Sequence, residues 1–424
     1  MKKIISIIAM ALAVMTASAK ELSGYQLTQA ESELGKLTFK VEGSAVTQAE
    51  AGATVTIVAT PNDGYAATAM AVRAAGQWEG AKARGITVTG NVTVTRVALN
   101  EYTFVMPAAD VQVTAQFDLC APVPAEENKA GGKDIDGASV VLQPDKNAQP
   151  TTEGDVTYMP VIVSGIDMVK AAEGATQEIT VTIPAMMASA TGKIQFVVRG
   201  IAPDALKISG GNTKVTKVIL PETEQPLEVA EGALSLNGTP MAVEAPLALL
   251  DDYALMTALK ENFEAQKVSA TVKAPNKYWS FSSGVDCVLP EGVTAYIAVW
   301  DAKYLTIRIV PLTEEQMKLA DGRRGIKANN GVLIAGEPNK VYEIVASPGN
   351  QQSGAKPATT DAQSYPHNGL VPTIEATNYE SGDYLVLKDN QFHNIKSSTT
   401  KVKACKAVFS VKKAGATKPL GVRV

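Results

Sequence analysis

Residues 101–117 read EYTFVMPAADVQVTAQF, and their alternation decides the fold class. Tyr102, Phe104 and Met106 share one face of an extended segment, opposite Thr103 and Val105. Pro107, Ala108, Ala109 and Asp110 interrupt the run, after which Val111, Val113, Ala115 and Phe117 alternate with Gln112, Thr114 and Gln116. Successive side chains of a strand point to opposite faces, so two period-2 runs around a Pro/Asp break predict two short strands joined by a tight connection. Towards the N-terminus, Leu37, Phe39 and Val41 alternate with Thr38 and Lys40, and residues 53–60, ATVTIVAT, have the β-branched content of a strand. Between residues 60 and 65, Pro61-Asn62-Asp63-Gly64 supplies a turn: proline presets φ, Asn and Asp bond back to local backbone, and glycine tolerates positive φ. Residues 65–72 and 86–97 read as further strands. The stretch therefore closes a small β module over residues 20–118 and marks its boundary. It carries no catalytic pattern.

Residues 119–155 are rich in Pro, Gly, Asn, Lys, Asp and Glu and read as a linker able to lend one strand, at 140–142, to the next domain. Runs at 158–163, 178–183, 194–198 and 214–220 define a middle β region over 156–274. Its one expected helix, 251–266, has Asp251 or Asp252 as N-cap and Leu255, Leu259 and Phe263 at i, i+4 and i+8. From 275 to 424, runs at 278–282, 294–300, 304–310, 341–345, 384–387, 392–395 and 407–411 predict a C-terminal β-sandwich or barrel-like module, with Asn330-Gly331 as a turn signal. The expected architecture is mostly β and multidomain: a small β module (β-grasp-like among the options), a middle β region with one helix, and the C-terminal β module.

Three resemblances rest on these residues. Leu37-Thr38-Phe39, Gly52-Ala53-Thr54-Val55-Thr56, Thr60-Pro61 with Gly64-Tyr65, and Tyr102 to Val111 with Ala115-Gln116-Phe117 occur in the order of the divergent internalin B-repeat module, over about residues 36–118. That resemblance implies a bacterial surface or secreted protein; such proteins often carry several copies, and one copy is found here. From Val215 to Leu234, VTKVILP…LEVAEGAL resembles one turn of the leucine-rich repeats of bacterial surface proteins. A single partial copy cannot build a solenoid, because each repeat buries its face on a neighbour, so a relict or chance match is the expectation. EGVTAY, IKANNGVLIAG, DYLVLKDNQFHNI and KACKAVF resemble, over about 285–412, a β module recurrent near the C-termini of secreted proteins of anaerobic host-associated bacteria. It implies a location and brings no catalytic residues.

Lys2 and Lys3, the apolar run from Ile4 to Val14, and Ala17-Ser18-Ala19 form the three parts of a secretory signal, with residues 1–19 removed on export. The run is too short for a transmembrane anchor, and no other run of spanning length occurs. The formal charge is −4, and loss of Lys2 and Lys3 takes it to −6. With no basic stripe, nucleic acid is not an expected partner. Cys120, Cys287 and Cys405 are odd in number and far apart, so at most one pair can form, and buried free thiols are the plainer reading.

His367 and His393 are the only histidines, and no Ser-containing elbow, Cys/His pairing, P-loop or H-E-x-x-H accompanies them. Structural or solvated roles are expected for both. Asp134-Ile135-Asp136-Gly137 lacks the further carboxylates of a calcium loop and reads as a solvated turn. No catalytic, cofactor-binding or metal residue is singled out, and no cofactor is expected. Sugar binding would call for clustered exposed aromatics, yet Trp78, Trp279 and Trp300 are dispersed, and Trp279 shares with Phe281 a face that reads as core. Trp78, between Gln77 and Glu79 in a turn-like segment, is the candidate partner contact; a half-buried Trp closing the module's open end is its alternative. The functional expectation is an exported, non-enzymatic surface or secreted protein that meets a protein or glycan ligand in adhesion or envelope interaction, with the periplasm as the other location. An accessory or member of an extracellular polysaccharide-degrading system and a structural spacer are the alternatives.

Overall fold

The computed structural model describes residues 24–74, 91–122, 128–130, 133–134, 139–167, 177–208, 213–274, 276–348, 365–395, 401–415 and 422–423. The chain separates into two units, residues 1–117 and 118–424. In the first, the strands are β1 (Tyr25–Gln29), β2 (Gly35–Val41), β3 (Thr54–Pro61), β4 (Tyr65–Ala74), β5 (Val94–Ala98), β6 (Glu101–Val105) and the start of β7 (Val111–Pro122). One antiparallel sheet runs β2–β3–β6–β5, whereas β7 pairs in parallel with β1, Leu27 opposite Val111. The two halves of the 101–117 stretch thus lie in different sheets, and residues 107–110 carry the chain between them. The expected inward faces are present: Tyr102 and Phe104 from β6 with Met106 just after it, and Val111, Val113 and Phe117 from β7, meet Leu27, Phe39, Val55 and Ile57 in one core. Val105, on the outer face, is 59% exposed. Inside that core the Tyr102 hydroxyl donates to the Ala67 carbonyl at 2.8 Å, satisfying its one polar atom. Among the described residues no helix crosses this sheet.

The second unit begins with the last residues of β7, which pair with β8 (Ser139–Pro144) inside the segment expected as a linker. Beyond it the chain winds through β9 (Val156–Asp167), β10 (Gln177–Thr182), β11 (Ile194–Ile201), β12 (Thr213–Ile219), β13 (Glu228–Val229) and β14 (Ala242–Ala245) to β15 (Val268–Lys273). β9, β11 and β13 pair in parallel, as do β10, β12, β14 and β15. Register places Val181, Val218, Val243 and Val268 side by side, at steps of 37, 25 and 25 residues, and all four are buried. This is a short two-sheet solenoid. The expectation that the repeat-like stretch at 215–234 stands alone is corrected: neighbouring coils exist on both sides. They lack its consensus because a coil needs only an inward apolar row and a parallel partner.

Antiparallel strands cover both sheets at the start of the stack and the second sheet at its end. β8 covers β9, residues 128–130 cover β10, and Val341–Ser347 covers β15. Strands before and after residue 275 therefore share a sheet. The single expected helix 251–266 is also corrected. It is two short helices, α1 (Leu250–Leu255) and α2 (Lys260–Glu264), separated by Met256 in an extended conformation (φ −66°, ψ 127°). α1 is buried on nearly all sides and α2 on one, and the extended residue re-aims the chain between the two environments. Neither Asp caps the helix; the Asp251 carboxylate is buried and accepts from the Ser283 hydroxyl and, at 2.7 Å, from the Gly284 N–H. Leu255, Leu259 and Phe263 are buried as the periodicity predicts.

The C-terminal strands are β16 (Tyr278–Phe281), β17 (Asp286–Val288), β18 (Thr294–Asp301), β19 (Thr306–Pro311), β20 (Val332–Ala335), β21 (Val341–Ser347), β22 (Leu370–Thr373), β23 (Tyr384–Lys388), β24 (Gln391–Asn394) and β25 (Lys406–Ser410). Sheets β16–β20–β18–β19 and β22–β25–β23–β24 share one core, in which Ala298, Ile307 and Leu333 of the first pack with Leu370, Leu385, Phe392 and Phe409 of the second. That is a β-sandwich.

Gly200, on β11, tests the stack. A Cβ there would lie 2.5 Å from the Glu228 carbonyl oxygen of β13, a backbone atom with nowhere to move. Gly200→Ala is expected to lower stability by about 1–3 kcal/mol in chemical denaturation. Gly165→Ala is the control, since its added Cβ would meet only the Val141 side chain at an ordinary 3.5 Å.

Candidate binding cleft

The site worth building is on the sandwich. Val299 and Trp300 of β18, residues 365–368, and Lys413 with Ala414 after β25 line a cleft of about 400 Å³. Behind the lining residue Asn368 lies the Asn330-Gly331 turn. Asn330 Nδ2 donates to the carbonyls of Lys327 and Ala328, and Asp286 of β17 accepts from the Ala328 N–H at 2.8 Å. Gly331 is needed because an added Cβ would come within 3.0 Å of Ala407 Cβ and 3.1 Å of the Val371 carbonyl carbon.

Two buried polar residues fasten the cleft wall to that turn. Asn368 donates to the Gly331 carbonyl at 2.7 Å and accepts from the Leu370 N–H at 3.0 Å and the Ala298 N–H at 3.4 Å. The Tyr365 hydroxyl accepts from the Lys327 N–H at 3.4 Å, and burial pushes its pKa up to about 12, so the phenol stays neutral. Between these anchors His367 is held at φ 61°, in the left-handed region, and it is exposed. Trp300 is half-buried: it packs on the Ile307–Leu370 core and also borders the cleft. The lining thus offers an indole, an imidazole and an ammonium. None of its described residues is Asp, Glu, Ser or Cys.

The hairpin between β18 and β19 rises from the same strands. Asp301 Oδ1 accepts from the N–H groups of Lys303 at 3.1 Å and Tyr304 at 3.3 Å, fixing the turn. The run 304–310 predicts a strand beginning at Tyr304; instead Tyr304 stands at the tip, 67% exposed, beside Leu305 at 65%. The carboxylate that ties up two turn N–H groups is the reason, because it leaves them no place in a ladder. The Lys303 ammonium lies 5.0 Å from the Tyr304 ring centre.

In the first unit, the described strands run in order from Tyr25 to β7, with both inward faces of the 101–117 stretch in its core. Residues 25–120 match the family model of the Divergent InlB B-repeat domain. The B-repeat match begins at Tyr25 in the first unit and ends within β7. A B-repeat-like domain fits a bacterial surface or extracellular protein. No curated protein and no solved structure matches this chain.

The residues singled out from sequence are scattered. Trp78, the candidate partner contact, lies outside the described residues, as do the secretory signal and most of the Asp134–Gly137 turn. His393 is exposed on β24, and of the two histidines only His367 lines the cleft. Trp279 and Phe281 are buried, Trp279 stacked on Tyr342 with centroids 5.7 Å apart. Cys120, Cys287 and Cys405 are buried and free. Among the described residues no cluster of three His, Cys, Asp or Glu could hold a metal ion. Lys413 carries no sequence signal; the cleft assembles it by tertiary contact.

Burial raises the Asp286 carboxyl above the ordinary Asp range, opposed by the Ala328 N–H and reinforced by Asp321. The folded form binds this proton more tightly than the unfolded chain, so stability falls as pH rises through the raised pKa. Asp286→Asn keeps an acceptor for Ala328 and removes the buried charge. Its denaturation midpoint at pH 7 is expected to equal or exceed the parent's, with any advantage closing by about pH 3.5, below the ordinary Asp value.

Proposed function

We propose that this is an exported, non-enzymatic bacterial surface or secreted protein that binds an external ligand, in adhesion or in interaction with the envelope. The observation that carries the reading is the match of residues 25–120 to a B-repeat domain. The Lys2-Lys3 and Ile4-to-Val14 leader pattern supports export. Among the described residues no helix is long and apolar enough to cross a membrane. The cleft lined by Trp300, His367 and Lys413 is a place where a ligand could be received.

Protease treatment of intact cells tests the address, and arrays of glycans and matrix proteins probed with the full chain test the role. Cleavage without lysis together with a specific array signal is the expected result. Protection until the cells are opened would overturn the surface location, and turnover of a polysaccharide by the purified protein would overturn the non-enzymatic role.

A further inference from the structure

We infer that the first unit is a force-bearing module, in which tension along the chain is carried in shear by the parallel pair of β1 and β7. The inference goes beyond the binding role proposed above and holds whichever ligand is bound. A protein that tethers anything is pulled through its own backbone, and its resistance depends on how the strands next to the two load points are joined. The chain enters this unit at β1 and leaves it along β7, and the two pair with Leu27 opposite Val111, Thr28 opposite Gln112 and Gln29 opposite Val113. Because the pair is parallel, the entry lies at one end of it and the exit at the other. Tension therefore slides one strand along its neighbour and loads the cross-strand bonds together. With both load points at the same end, those bonds would open one after another.

The join is more than a short ladder. Ahead of the paired segment the Gln26 N–H donates to the Asp110 carboxylate at 2.9 Å, and after it the Ala30 N–H donates to the Val113 carbonyl at 2.8 Å. Between them the Thr28 hydroxyl donates to the Val111 carbonyl at 2.9 Å. Leu27, Val111 and Val113 are buried, which keeps water from competing for the loaded main-chain groups. β1 is held along its other edge as well, where Tyr25 pairs with Ala49 and the Leu27 N–H donates to the Thr47 carbonyl at 2.9 Å. It cannot peel away without breaking that second set of bonds. Strands β2 to β6 lie between Ala30 and Asp110 in the chain, off the path of the load until the pair gives way. β7 continues as one strand to Pro122, so tension arriving from residues beyond 118 reaches Val113 along extended backbone with no slack to take up.

Force spectroscopy on the full-length chain tests this by changing only the points of attachment. Handles on Ser23→Cys and Thr114→Cys load the pair in shear, whereas handles on Ser23→Cys and Ala108→Cys open the same pair from one end. Thr114 and Ala108 are exposed and the native cysteines are buried, so coupling under native conditions goes to the introduced thiols. Forced unfolding reports the unfolding barrier rather than the equilibrium stability, and the shear force is expected to exceed the unzipping force by roughly threefold or more. Ala30→Pro removes one donor of the join, and Thr28→Val removes another at nearly constant shape; either should lower the shear force. Ile57→Val, in the core but off the pair, should lower the denaturation midpoint and leave the shear force unchanged. Equal forces from the two attachments would overturn the inference. So would a shear force that follows the denaturation midpoint across the three variants instead of the bonds between β1 and β7.

Discussion

Four buried valines in one hydrogen-bonded row, Val181, Val218, Val243 and Val268, are the constraint on which the larger unit depends. Each lies on a strand that pairs on both sides, so the backbone polar groups are satisfied only if the next coil is present. A coil removed from such a stack leaves two apolar faces and two open ladders. The chain resolves the same problem at the ends with antiparallel strands, β8 and residues 128–130 at one, β21 at the other. Capping of this kind keeps a short stack from adding further copies of itself edge to edge.

Support for the cleft can be traced from that stack. β21 pairs with β15 and with β17, and β17 supplies Asp286, whose carboxylate fixes Ala328. The same turn fixes Tyr365 through Lys327 and Asn368 through Gly331, and these two position His367. The path from the valine row to the cleft wall runs through main-chain pairing and a handful of buried polar contacts. A binding surface on loops gains its order from such a scaffold.

Much of the fold is legible in the residues. The alternation of Tyr102, Phe104 and Met106 gives their burial directly, and most of the strand positions from 156 to 411 come from β-branched runs, because one face of each strand is buried. The solenoid is less visible. Its steps of 37, 25 and 25 residues are unequal, and parallel neighbours are related by tertiary pairing that no local pattern encodes. The broken helix is hidden for a similar reason: Leu255, Leu259 and Phe263 keep their spacing on either side of Met256, so periodicity reads through the break. The cleft is the least legible part. Trp300, His367 and Lys413 are separated by dozens of residues, and only the packing of two sheets brings them to one rim.

The free cysteines have a practical meaning beyond the question of bridges. Cys120 sits where β7 pairs with β8, Cys287 where β17 pairs with β21, and Cys405 just before β25. Burial raises the Cys287 thiol well above its ordinary range, so little nucleophilic thiolate exists while the sheet is closed. Modification of that sulfur then waits on opening of its surroundings. Three buried thiols at three separate seams give the protein an internal set of clocks, from which the breathing of the stack entrance, the stack exit and the sandwich can each be timed.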